Sequence, residues 1–189
     1  MFELIKKWDQ DLFMFLNNLG AEQYDVFWLY ITKIETWIPL FIFLTLLIFH
    51  YYKIKKGILL FGFVLLTFAI TLLITDSTKE FVSRLRPNNV KVFSDLIRIL
   101  QEPETYSFFS GHASSSFAIT TFVVLALRKH SKWIYLVYVW PVIFTISRIY
   151  VGVHYPSDIV AGSLVGILMA YIFFELFKKA NDKMNLLYS

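Results

Sequence analysis

Five stretches of this chain carry no Asp, Glu, Lys or Arg: 36–52, 57–75, 105–127, 133–147 and 159–174. An apolar run of ~20 residues is what a helix needs to cross the hydrocarbon of a bilayer, where a helix satisfies every backbone polar group within itself. Several of the runs fall slightly short of that length, and the Lys and Arg residues that flank them extend their reach by snorkelling. The expected fold is therefore all-α, a polytopic transmembrane helix bundle of five spans. A sixth span from 12–32 is the alternative, disfavoured because Asn17, Asn18, Glu22 and Asp25 interrupt it. The N-terminal residues Leu4, Ile5, Trp8, Leu12, Phe13, Phe15, Leu16 and Leu19 recur at helical spacing among polar positions, which predicts an amphipathic helix lying on the bilayer surface.

At 189 residues, with no linker long enough to divide it, the chain reads as one integral-membrane domain. Residues 1–34 form its interfacial segment and 36–178 its transmembrane core. The composition agrees, being 57% hydrophobic and 19% aromatic. The absence of cysteine rules out disulfides and thiolate chemistry. Lys6 and Lys7 are followed at once by Asp9 and Asp11, and no small-residue cleavage site follows, so no removable signal peptide is expected. The net charge of +4 lies in short basic clusters beside apolar runs, a pattern that suits bilayer headgroups and excludes nucleic acid as the expected partner. In a five-span arrangement Lys53, Lys55 and Lys56, the turn 128–132, and Lys178, Lys179 and Lys183 share one face, which the positive-inside rule makes cytoplasmic. The expected location is the plasma (inner) membrane.

Three groups of ionisable residues gather on the opposite, outer face. The first is Lys79, Arg84 and Arg86, just where positive loops are disfavoured. Lys79 and Arg86 are seven apart, which would return them to one side of a continuing helix. The second is Ser110-Gly111-His112, where Ser suits an N-cap and a helix N-terminus offers free N–H groups to phosphate. The third is the stretch SRIYVGVHYPSD, in which Arg148 ends one span while Pro156-Ser157 opens the next, so that Asp158 can reach back to His154. A carboxylate that accepts the Nδ1 proton leaves Nε2 a free lone pair, as a nucleophile or base requires. The segment 92–100 is expected to form a short amphipathic helix on the outer surface. Zinc or iron would accept these histidines and the aspartate as ligands, but Lys79, Arg86 and Arg148 repel a cation and attract an oxyanion, so no metal and no cofactor are expected.

These residues resemble the type 2 phosphatidic acid phosphatase family, membrane phosphatases that share a site design with vanadium-dependent haloperoxidases. The family's first signature, a Lys separated by six residues from Arg-Pro, is met by Lys79 and Arg86-Pro87. The second, Pro-Ser-Gly-His, is met by Ser110-Gly111-His112 with Phe109 in place of Pro. The third is met by Ser147-Arg148, His154 and Asp158. The resemblance implies that His154 attacks phosphorus and Asp158 holds its tautomer, while His112 serves as acid and then base. It further implies that Lys79, Arg86, Arg148 and the Ser110 and Gly111 amides hold the phosphoryl oxygens. The substrate would be a lipid phosphate, among them undecaprenyl diphosphate, phosphatidylglycerol phosphate, phosphatidic acid and lipid A phosphates, presented at the outer face of the bilayer. A phosphotransferase using the same intermediate is the nearest alternative. A transporter is a more distant one, since the span interiors offer only hydroxyls such as Thr45, Thr67, Thr71, Thr120 and Thr145.

Overall fold

The structure, a computed structural model, describes residues 2–93 and 95–187, with side chains described for 3–93 and 95–184. Among the described residues the regular structure is entirely helical. Its α-helices are α1 (Phe2–Asn18), α2 (Asp25–Ile31), α3 (Ile38–Tyr51), α4 (Ile54–Val82), α5 (Gly111–Leu127), α6 (Val139–Tyr150) and α7 (Pro156–Leu187), and short 3₁₀ turns join several of them. Four helical segments, Ile34–Tyr51, Ile54–Phe93, Lys132–Tyr150 and Pro156–Met184, are long and apolar enough to cross a membrane. The fifth apolar helix, α5, has only 17 residues, about 26 Å of helix. From Thr120 to Leu127 it is buried at every position, so its neighbours rather than lipid set its surroundings.

Small residues make that enclosure possible. Gly162 and Gly166 stand one turn apart on α7, and a Cβ on Gly166 would lie 2.2 Å from the Ser114 carbonyl oxygen and 2.9 Å from the Ala118 amide. The two backbones approach this closely because no side chain stands between them, the packing that a membrane interior favours when lipid supplies no hydrophobic drive. From the other side α4 presents Thr67, Thr71 and Thr75, all fully buried. Each hydroxyl donates to the carbonyl one turn earlier, at 2.6, 2.7 and 2.8 Å, and Thr75 also meets the Ser114 hydroxyl at 2.8 Å. The mid-span hydroxyls of this stripe are thus satisfied within their own helix. Leu, Phe and Val side chains close the remaining core, among them Leu60, Phe122 and Phe177.

One end of the bundle holds the basic turns. The Tyr52 hydroxyl donates to the Ala126 carbonyl at 2.6 Å and Tyr51 stacks on His130 with ring centroids 4.8 Å apart. The other end is closed by α1, α2 and the 83–110 connection. The expected amphipathic helix is present as α1, but it does more than rest on a surface. Phe13 and Asn17 are fully buried, and the Asn17 side-chain amide donates to the carbonyls of Arg98, Ile149 and Tyr150 while its oxygen accepts from the Arg98 amide. Leu4, Ile5, Trp8, Leu12 and Phe15 stay exposed on the opposite side.

One expectation, the amphipathic helix at 92–100, is corrected here. The disfavoured sixth span is also not formed, since no single helix runs through 12–32: α1 ends at Asn18 and a 3₁₀ turn at Glu22–Tyr24 precedes α2. The charge-free run 105–127 is helical only from Gly111, its first six residues being the loop that feeds the site. The segment 92–100 forms no amphipathic helix, apart from a 3₁₀ turn at Lys91–Phe93. Its apolar residues Phe93 and Ile97 are instead buried against Phe13 and Tyr155, and Ser94 lies outside the described residues.

Gly166→Ala should lower the unfolding temperature in detergent by several degrees, because an added methyl in a backbone contact is overpacking that costs about 1–3 kcal/mol. Gly62→Ala, whose Cβ would meet nothing within 4 Å in the interior of α4, should hold or slightly raise the unfolding temperature, since alanine favours the helix by about 0.4–1 kcal/mol. Thermal unfolding of the two variants side by side checks the seam.

Candidate active site

The stretch between α6 and α7 makes a tight reversal over the end of the bundle. Gly152 takes φ +83°, and a Cβ there would lie 2.5 Å from the Arg98 carbonyl oxygen, so glycine alone fits both the conformation and the approach. The Leu100 amide donates to the Val151 carbonyl at 3.1 Å and the Val153 amide to the Arg148 carbonyl at 3.1 Å. His154 emerges from this reversal 1% exposed, and Asp158, in the first turn of α7, is fully buried.

Around the Asp158 carboxylate the donors are complete. Oδ2 accepts from the Ser107 hydroxyl, from the Tyr155 amide at 3.0 Å and from His154 Nδ1 at 3.3 Å, while Oδ1 accepts from Arg84 Nη1 at 2.8 Å. On the far side of the imidazole, Arg86 Nη1 lies 3.0 Å from Nε2. A guanidinium only donates, so Nε2 carries the lone pair and Nδ1 the proton. The neutral tautomer of His154 is therefore set from both sides. Burial, opposed by Asp158 and reinforced by the positive charges of Arg86 and Arg148, holds the His154 pKa down at about 4.

Arg86 is 4% exposed, and its remaining donors go to the Thr105 carbonyl at 2.6 Å, the Thr105 hydroxyl at 2.9 Å and the Val153 carbonyl at 3.1 Å. It does not share a helix with Lys79: α4 stops at Val82, Ser83 closes it in the left-handed conformation, and Arg86 lies in extended chain. Lys79 remains on the last turn of α4, 3.5 Å from Asp76, and points towards Gly111, where a Cβ would stand 3.6 Å from its Nζ. The N-cap expected at Ser110 is present, its hydroxyl accepting from the Ala113 amide at 3.4 Å. The Ser110 amide is committed to the Asp158 carbonyl at 3.0 Å, which couples the start of α5 to the start of α7 and leaves Gly111 and His112 as the first amides of the helix end.

Arg148 and His112 meet at a residue that the sequence did not single out. Arg148 Nη1 donates to the Thr32 hydroxyl at 2.5 Å and to Gln101 Oε1 at 2.8 Å, while His112 Nε2 faces the Thr32 carbonyl at 3.3 Å and its ring stacks on Phe144. Among the described residues Arg148 Nε is buried and has no hydrogen-bond partner, an unused donor inside the site. The hydroxyl of Ser147, adjacent in sequence, donates to the Phe144 carbonyl at 2.6 Å, away from the His–Asp pair. Ser107, Thr32, Gln101 and Thr105 carried no sequence signal, being ordinary polar residues in irregular or short segments. Arg84, grouped with Lys79 and Arg86 in the sequence but given no role there, pairs with Asp158 and Asp9.

The helical membrane bundle thus carries, at one end of its spans, a buried His–Asp pair with the guanidinium groups of Arg84 and Arg86 on either side of it. Residues 58–182 match the PAP2 superfamily, and the chain belongs to that family of membrane lipid phosphatases. It is 27% identical to a lipid A 4'-phosphatase of Bacteroides thetaiotaomicron, over 97% of this chain and 83% of the relative. It is 31% identical to an undecaprenyl-diphosphatase of Sulfolobus acidocaldarius, over 85% of this chain and 67% of that protein. The transmembrane PAP2-type phosphatidylglycerolphosphate phosphatase of Bacillus subtilis superposes with a TM-score of 0.67 at 26% identity, covering 95% of this chain and 87% of the other.

Because the buried imidazole stays neutral until the pH falls towards about 4, the acid limb of kcat/KM should have its midpoint well below the ordinary histidine value of about 6.5. The linked effect on stability has the same sign. The unfolded chain binds a proton below about 6.5 that the folded chain refuses until about 4, so His154 favours the fold above that window and the contribution is lost as the pH falls through it. A pH–rate profile and unfolding temperatures measured across the same range check both.

Proposed function

We propose that this protein is a metal-independent lipid phosphatase that works through a phosphohistidine on His154, at the outer face of the plasma membrane. The observation that carries this reading is the fixed neutral tautomer of His154, with Asp158 on Nδ1 and only a displaceable N–H on Nε2. In the first step the Nε2 lone pair attacks phosphorus and the lipid oxygen leaves, taking a proton from His112. Asp158 stabilises the imidazolium that forms. In the second step water attacks the phosphohistidine, gives its proton back to His112, and inorganic phosphate departs as the N–P bond breaks. Lys79, Arg86, Arg148 with its unused Nε, and the Gly111 amide are the groups that hold the phosphoryl oxygens as charge shifts among them.

The substrate class is a lipid phosphomonoester or diphosphate, the class to which the named substrates of the relatives belong. An apolar groove of about 440 Å³ between α3 and α4 begins at Ile34, two residues beyond Thr32, and continues to Ile48. It suits an acyl or isoprenyl chain whose phosphate lies against His112 and Arg148. The basic turns at the opposite end of the bundle support an outward-facing site.

Purified protein in detergent and EDTA should release inorganic phosphate from at least one of undecaprenyl diphosphate, phosphatidylglycerol phosphate, phosphatidic acid and lipid A. His154→Ala should reduce the rate by at least about 10³-fold, as removal of a nucleophile does. Phosphate appearing on a second lipid instead of free in solution would mark a transferase, and no release from any of the four by folded protein would sink the phosphatase reading.

A further inference from the structure

We propose that Asp9, on the amphipathic helix α1, is a positioning residue of the catalytic centre. Through Arg84 it braces Asp158 against His154 and keeps the charge behind the nucleophile negative. The inference rests on the phosphohistidine reading above and deepens it.

Asp9 Oδ2 accepts from Arg84 Nη2 at 2.6 Å and from the Ser157 hydroxyl at 2.5 Å, while Oδ1 accepts from the Ser157 amide at 2.9 Å. Arg84 in turn gives Nη1 to Asp158 Oδ1 at 2.8 Å and to Ser157 Oγ at 2.8 Å, with its guanidinium 3.9 Å above the Tyr155 ring. Asp9 therefore caps the N-terminus of α7 from outside that helix, at the residue before Asp158. The trio is poorly hydrated, with side chains 10% exposed at Asp9, 23% at Arg84 and fully buried at Asp158.

Charge balance gives Asp9 a role that bracing alone would not. Arg84 by itself would cancel the charge of Asp158, just where a carboxylate must stabilise the imidazolium that His154 becomes. The second carboxylate leaves the trio with one net negative charge, so that Arg84 can orient Asp158 without neutralising it.

Nor is Asp9 needed to dock α1. Positions 9, 13 and 17 fall on one face of the helix. Phe13 is fully buried with its ring edge-on to Tyr155 at 5.5 Å, and Asn17 makes four hydrogen bonds to the chain beneath it. These two residues fix the helix, and Asp9 is left to act on the site.

The test measures kcat and KM of full-length protein on whichever lipid phosphate the wild type hydrolyses. Asp9→Asn should lower kcat about tenfold with KM within about twofold, since the interaction lost is one made in the transition state. Asp9→Glu, which keeps the charge, should retain a higher kcat than Asp9→Asn. The double variant Asp9→Asn with Arg84→Gln, which restores the net negative charge beside His154, should exceed Asp9→Asn alone by at least about threefold, a non-additive gain expected of residues in one network. A wild-type kcat in Asp9→Asn, equal losses in the Asn and Glu variants, or a double variant worse than either single change would each overturn the proposal. Retained turnover in His154→Ala would instead remove the phosphohistidine reading itself, a separate measurement.

Discussion

The Asp158 carboxylate is the constraint on which the end of this bundle is built. A charge without contact to water is tolerated only when donors saturate it. Here the donors come from Arg84 and Ser107, near the two ends of the 83–110 connection, and from the Tyr155 amide and His154 in the reversal. Removing any of them leaves part of a buried anion unpaired. Satisfying Asp158 therefore fixes where those segments run, and with them the orientation of the His154 ring.

The bundle places that carboxylate by letting α7 approach α5 more closely than ordinary side chains allow. Gly162 and Gly166 make the approach, and the hydrogen bond from the Ser110 amide to the Asp158 carbonyl locks the two helix starts together. The N-terminus of α5 and the His–Asp pair are thus joined directly. Arg148 enters from α6, which runs directly into the reversal, and Thr32 ties Arg148 and His112 to the short segment between α2 and α3. A site at the rim of a membrane protein is in this way assembled from nearly every helix.

The helix α1 joins two environments. One face carries exposed Leu4, Ile5, Trp8, Leu12 and Phe15, a surface that suits the bilayer interface. The other carries Asp9, Phe13 and Asn17 onto the site and its surrounding loops. The sequence showed the amphipathic pattern but not that its polar face was spoken for, because a buried Asp or Asn looks the same in a hydropathy pattern as a solvated one.

The sequence by itself determined the membrane-spanning helical class, since charge-free runs of this length have few other stable homes. It also marked His154, Asp158, His112, Arg86, Arg148 and Lys79, because ionisable residues are costly at a membrane rim and stand out there. The structure brings His154, Asp158 and Arg86 into contact and joins Arg148 to His112 through Thr32. Only the tertiary structure decided who satisfies them. Ser107, Thr105, Thr32, Gln101 and Asp9 are polar residues far away in the chain, and hydrogen-bond partnership across such separations depends on how helices pack, which no local spacing encodes. The start of α5 was legible, because Ser110 reads as an N-cap and the helix begins at Gly111. What stayed hidden is that Asp158 holds the loop before it, through the Ser107 hydroxyl and the Ser110 amide, bonds between segments far apart in the chain that no local pattern encodes.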